Sequence, residues 1–182
     1  ARDIIAEQVS EDEQARNTVR FAFSRQAVIT AKVVKGKESE ADKYRDYFEF
    51  SKPLKKCTSH QLLAIRRAEA EGLLKVSISP DDEECVERLE RRFVRSNNAC
   101  GEQVAEAVQD AYKRLLKSSI ETEFAAQSKE QADEEAIRVF VQNLRQLLLA
   151  SPLGQKRVMG IDPGFRTGCK VVCLDAQGNL LH

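Results

Sequence analysis

Gln155-Lys156-Arg157-Val158-Met159-Gly160-Ile161-Asp162-Pro163-Gly164 is the stretch on which the fold turns. Before it, apolar residues recur every three or four positions, the period of a helix with one buried face. From Arg157 to Asp162 the pattern becomes that of a short strand, and Pro163-Gly164 makes a turn. Thr167 to Leu174, rich in Val and Cys, reads as a second strand. Asp175-Ala176-Gln177-Gly178 turns again, and Asn179 to His182 opens a third strand. The expectation is a mainly α chain. A multi-helical region over residues 1–155 leads into a truncated β-hairpin or meander over residues 156–182, the opening of an α/β domain.

Working back from that boundary, Pro152 and Gly154 close the longest helix, which runs from about Ser119 with an interruption expected near Ser128. Ile137, Val141, Leu144 and Leu148 recur along it. A helix from about Gly101 to Lys117 carries Val104, Val108, Tyr112 and Leu115 on one stripe. Ser79-Pro80-Asp81-Asp82 is a strong start signal, read with Ser79 as the cap and Pro80 as the first helical residue. That helix is expected to reach Arg95 and stop at Asn97-Asn98. Ser59 is read as capping another helix, stopped by Gly72. Ser10 with Glu13 reads as a capping box for a helix carrying Val19 and Phe23. Between them, Val28 to Val34 is β-branched but too short to classify, and Lys35-Gly36-Lys37 breaks the pattern.

Composition narrows the function. The 182 residues are 42% hydrophobic and 32% charged, with 29 Lys and Arg balancing 29 Asp and Glu. A domain that held nucleic acid through its overall charge would be distinctly basic, so any such contact must come from a local patch. No apolar run approaches the roughly 18 residues of a spanning helix, so no membrane partner is expected. The amino end shows neither an initiator Met nor a signal-peptide pattern, and the expectation is a piece of a longer cytoplasmic protein. Five cysteines at irregular spacing fit reduced thiols rather than a disulfide framework.

Gly160-Ile161-Asp162-Pro163-Gly164, followed by Thr167-Gly168, is the motif with chemical content. A carboxylate at the end of a first strand, beside the amides of a glycine-rich turn, suits two chemistries. In RNase H-like nucleases it helps to hold a divalent metal at the scissile phosphate. In actin-like phosphotransferases a similar hairpin contacts nucleotide phosphates. Both need partners, and the nearest further acid, Asp175, falls in the next turn. Asp162 is therefore a candidate metal-binding carboxylate only as part of a larger set, and a plain turn between strands accounts for the same residues.

Read together, these residues carry a family resemblance. Val33-Val34-Lys35-Gly36-Lys37, Lys43-Tyr44-Arg45-Asp46-Tyr47-Phe48, and Ser59-His60 with Arg66 through Gly72 resemble the amino-terminal helical region of the Tex family of bacterial transcription accessory proteins. Val158 through Leu181, centred on Gly-Ile-Asp-Pro-Gly-Phe-Arg-Thr-Gly, resembles the start of their YqgF/RuvC-like domain. The resemblance implies helix-turn-helix character, an RNase H-like domain with an incomplete nuclease site, and a role as a nucleic-acid-associated scaffold. It further implies partners in the transcription machinery and RNA or DNA bound through the whole protein. No catalysis and no cofactor are expected of this chain.

Lys35, Lys37, Lys43 and Arg45, with Lys32 beside them, are the candidate nucleic-acid-binding residues, because Tyr44, Tyr47 and Phe48 among them could stack on bases. Glu38, Glu40, Asp42 and Asp46 oppose that field, and a solvated mixed-charge face over core aromatics explains the same pattern. Cys57 and His60 have metal-like spacing but lack a second ligand pair, so no metal is expected. Cys169 and Cys173 are read as buried on one strand face. Arg91, Arg92 and Arg95 read as a solvated helix face. Short strands with free edges are expected to be flexible, to pack on the helices, or to support self-association through the hairpin.

Overall fold

Helix caps set the boundaries in the computed structural model, which describes residues 1–164 and 168–182. The chain divides into two units, Ala1–Val139 and Phe140–His182. The first opens with α1 (Arg2–Glu11) and α2 (Glu13–Gln26). Asp12 separates them: its extended backbone ends α1, and its carboxylate accepts from Ala15 N at 2.7 Å to cap α2. Ser10 therefore does not form the expected capping box. Its hydroxyl donates back to the Glu7 carbonyl within α1, because the Asp12 carboxylate, two residues nearer to the free amides, is the better placed acceptor. Ala15, Val19, Ala22 and Phe23 form the buried stripe of α2.

A three-stranded antiparallel sheet follows, in the order β2-β1-β3. The unclassified Val28–Val33 segment is its central strand, β1. Glu49–Pro53 is β2, Leu74–Ser79 is β3, and α3 (Ser59–Ala70) lies between them in sequence. Ile29 pairs with Lys52 on one side and Ile78 on the other, and Ala31 sits between Phe50 and Val76. Ile29, Ala31 and Ile78 are buried, so one face of the sheet closes the core. Neither β2 nor β3 is among the elements expected from sequence.

Thr58, not Ser59, caps α3, in a capping box with Gln61. Gly72 ends it as expected. Its φ of +69° allows Gly72 N to reach the Glu69 carbonyl and Leu73 N the Ala68 carbonyl, both at 2.9 Å, the paired bonds of a Schellman stop. Helix α4 spans Asp82–Phe93 with Asp81 as its cap, accepting from Glu83 N and Glu84 N. Ser79 is committed to β3, which moves the cap two residues beyond the expected one. Asn98 does not end α4 but starts α5 (Ala99–Asp110), accepting from Gly101 N at 3.0 Å.

A π-helical stretch, Ala111–Leu116, joins α5 to α6 (Lys117–Leu148), which runs through Ser128 without the expected break. In the first unit, α6 packs Phe124 against Phe23 with ring centroids 5.4 Å apart. Glu123 receives Arg20 through three bonds of 3.0 to 3.1 Å. The Glu121 carboxylate accepts from Ile78 N of β3 at 2.6 Å, which satisfies a buried amide at the sheet edge. Arg91 makes the expected helical pair with Glu87, whereas Arg92 reaches Asp12 and Gln14 and ties α4 to the start of α2. Ile137, Val141, Leu144 and Leu148 share their helical period but stand exposed.

In the second unit, β4 (Val158–Asp162) and β5 (Lys170–Leu174) form an antiparallel hairpin. The third strand expected from Asn179 is a single bridge, Leu174 to Leu180. Cys169 falls before β5 and is exposed, and Cys173 is only half-buried. The expectation of two buried thiols on one face thus fails, because the strand starts later than its composition suggested. Met159, Ile161 and Val171 are also exposed. Thr167, read as the start of the second strand, lies outside the described residues.

Candidate nucleic-acid interface

The expected basic residues lie on the connection from β1 to β2. Gly36, with φ +85°, turns the chain after Lys35, and the Glu38 carboxylate accepts from Gly36 N at 3.2 Å. Lys35 and Arg45 are exposed and Lys37 is half-exposed. Lys43 is engaged: its ammonium lies 2.8 Å from Glu71 and 4.9 Å from the centroid of the Tyr44 ring. The Glu71 hydrogen bond raises the Lys43 pKa, and Lys43 in turn holds the Glu71 carboxyl below its ordinary value.

The aromatic residues between these cations do not form a stacking platform. Tyr44 is buried, and its hydroxyl donates to Glu71 at 3.0 Å. Tyr47, Phe48 and Phe50 pack against the core. The structure thus separates the two halves of the expected surface, with charges outward and rings inward. Every ring edge turned inward adds apolar burial to a small sheet.

Charge is unevenly distributed along the fold. Residues 27–79 hold eleven Lys and Arg against seven Asp and Glu, an excess that the rest of the neutral chain cancels. Among the described residues, the ion pairs within this stretch are Lys43–Glu71 and Arg66–Glu69. The helices outside it are laced with pairs such as Arg88–Glu84, Arg114–Asp110 and Lys129–Asp133. The net-basic stretch contains the whole three-stranded sheet and α3.

The other candidates do not converge. Asp162 is exposed and stands opposite Lys170, while Asp175 follows Leu174, the partner of Val158 at the far end of the hairpin. Four residue steps separate those ends, about 13 Å along a strand. The Asp175 carboxylate accepts from Gln177 N, Asn179 N and Asn179 Nδ2. The Asn179 bonds, side chain first, hold its pKa down. No group of three His, Cys, Asp or Glu suited to a metal occurs among the described residues. His60 Nε2 lies 3.5 Å from Thr58 Oγ1, and Cys57 Sγ points to the Thr58 carbonyl at 3.8 Å. Burial raises the Cys57 pKa, so this thiol is not an activated nucleophile. It lines a groove of 320 Å³ floored by Phe23 and Phe124 and crossed by a hydrogen bond from Ser59 to Glu135.

Comparison with known proteins accords with this architecture. The family described as Tex central region-like matches residues 1–140, and the Tex protein YqgF-like domain matches residues 156–182. The chain is 36% identical over its full length to the transcriptional accessory protein Tex of Neisseria gonorrhoeae, covering 25% of that protein. It is 35% identical to the protein tex of Bordetella pertussis, with the same coverage of both chains. It is also 32% identical, over 98% of its length, to 19% of the human S1 RNA-binding domain-containing protein 1. The chain spans about a quarter of the length of the bacterial relatives. With both matches in order along a mainly helical chain that ends in a β-hairpin, this protein belongs to the Tex family.

Proposed function

We propose that this chain is a scaffold segment of a transcription accessory protein that associates with nucleic acid and does not itself catalyse a reaction. The observation that carries the reading is the ordered pair of Tex matches across the chain. The helix-turn-helix character expected of the Tex region belongs to this reading, with Lys35, Lys37 and Arg45 as solvent-facing cations on the β1–β2 connection. The net-basic sheet region supports the same reading, since phosphate contact needs only a local excess of positive charge. On this reading β4 and β5 act as structural elements, and Asp162 as the end of a strand.

Fluorescence anisotropy of labelled RNA and DNA, titrated with the chain at low and moderate salt, tests the reading. Salt-sensitive binding is expected, because each phosphate neutralised releases counterions. Replacing Lys35, Lys37, Lys43 and Arg45 with Ala is expected to weaken it. No binding at low salt would make the segment a structural or protein-docking element instead. Metal-dependent cleavage of the labelled strands that is lost in Asp162→Asn would overturn the non-catalytic reading.

A further inference from the structure

Side chains alternate across a sheet, so the face opposite the core is defined by the strand register. Its middle row is Ser51, Thr30 and Ser77, one from each strand, with the Thr30 and Ser77 hydroxyls 3.1 Å apart. The next row is Glu49, Lys32 and Lys75. Lys32, Lys75, Ser51 and Ser77 are exposed, and Thr30 is half-exposed. Lys32 and Lys75 are direct cross-strand partners, which brings their Cβ atoms within about 5 Å. Neither lysine joins an ion pair among the described residues. Like charges placed directly opposite on a sheet repel, and an anion set between them removes that repulsion.

Building on the nucleic-acid reading, we propose that this open face is a contact surface for the sugar-phosphate backbone of duplex DNA. Lys32 and Lys75 clasp a phosphate, and the hydroxyl row donates to its neighbours. Charge complementarity supports this occupant: the face lies in the net-basic part of a neutral chain, and β1 leads directly into Lys35. The kind of nucleic acid follows from what the face lacks. Single strands are held by bases stacking on exposed rings, and here Phe48 and Phe50 are half-buried against the core, with Phe48 edging a hollow beside Lys32 and Glu49. The face carries hydroxyls and two ammonium groups against the one carboxylate of Glu49. A net-positive face of this kind without a fully exposed ring suits a duplex, whose phosphates point outward and whose bases are already stacked.

The test is anisotropy of the full chain with a labelled DNA duplex, an RNA duplex and the separate strands, across a salt series. The parent is compared with Lys32→Ala/Lys75→Ala and Lys32→Arg/Lys75→Arg. The alanine pair is expected to weaken duplex-DNA binding roughly tenfold and to flatten the log–log salt slope by about 0.9, the value for one phosphate. The arginine pair should retain both. In the free chain, the alanine pair should leave the melting temperature nearly unchanged, because it removes both the Lys32–Lys75 repulsion and the Lys32–Glu49 attraction. Tighter binding of single strands or of RNA duplex than of DNA duplex would overturn the proposal. So would unchanged affinity and slope in the alanine pair, with the broader nucleic-acid reading left standing. A parent that binds none of the probes would overturn both.

Discussion

Replacing Tyr112 with Phe removes a single hydroxyl from a carboxylate, Asp82, that is held by three different side chains. Tyr112 is fully buried in the π-helical stretch, and its hydroxyl donates to Asp82 Oδ1 at 2.7 Å. Ser79 Oγ donates to the same oxygen at 2.9 Å, and Lys117 Nζ reaches Oδ2. Together these bonds join the end of β3, the first residue of α4, and the junction of α5 with α6. A hydrogen bond to a charged acceptor contributes about 1.5–3 kcal/mol. Two facts reduce that figure. The Asp82 side chain is 46% exposed, so water replaces part of the lost donor, and Ser79 and Lys117 remain. The expected loss is therefore about 1–2 kcal/mol, near the lower end of that range. For a domain of this size it lowers the melting temperature by about 2–8 °C.

The same substitution carries a pH signature. Burial opposes the charge on Asp82, but hydrogen bonds from Lys117, Tyr112 and Ser79 outweigh it and hold its pKa below the ordinary 3.8. A group whose folded pKa is depressed contributes stability that is fully present above its unfolded pKa. That contribution is lost as pH falls through the folded value. Removing one donor moves the folded pKa of Asp82 back toward 3.8. The gap between parent and variant is thus widest near neutrality and narrows below about pH 3.8. Urea melts at pH 7 and through the acid limb measure both effects. A variant within about 0.5 kcal/mol of the parent at pH 7, or a gap that does not close in acid, would refute the reasoning.

Gly101→Ala is expected to destabilise the chain by about 1–3 kcal/mol, because an added Cβ would meet the Ser96 carbonyl oxygen at 1.8 Å; thermal melts check this. Glu121→Ala strips the acceptor from the buried Ile78 amide, at a cost of about 1–3 kcal/mol. Hydrogen exchange at Ile78 should accelerate, and Glu121→Gln, which keeps an acceptor oxygen, should restore much of the protection.

What could be read from the sequence was local. The change of period at Gln155, the Gly72 stop and the helical stripe carrying Val19 and Phe23 each depend on residues within a turn or two of one another, and each appears in the structure. The caps were read as types and misplaced by a residue or two. Ser10, Ser59 and Ser79 have the right chemistry, but Asp12, Thr58 and Asp81 hold the positions that the neighbouring elements leave open. Among the candidate residues, the charge of Lys35, Lys37, Lys43 and Arg45 was plain from composition. That Tyr44, Tyr47 and Phe48 would be core aromatics beneath a mixed-charge face was one of two readings of the pattern, and the core beneath the loop decides for it.

The sheet had to wait for tertiary structure. Strands of five or six residues carry too few alternations to be distinguished from a buried turn of helix. Their identity comes from pairing, and β1 finds β3 only across β2 and the whole of α3. The same register sets Lys32 beside Lys75 and gathers Ser51, Thr30 and Ser77 into one row. The sequence by itself determined most of the helices and the change from helix to strand after Gln155, because caps, stops and apolar periods act between near neighbours. Only the tertiary structure decided which cations share a face, because that depends on hydrogen bonds between strands far apart in the chain.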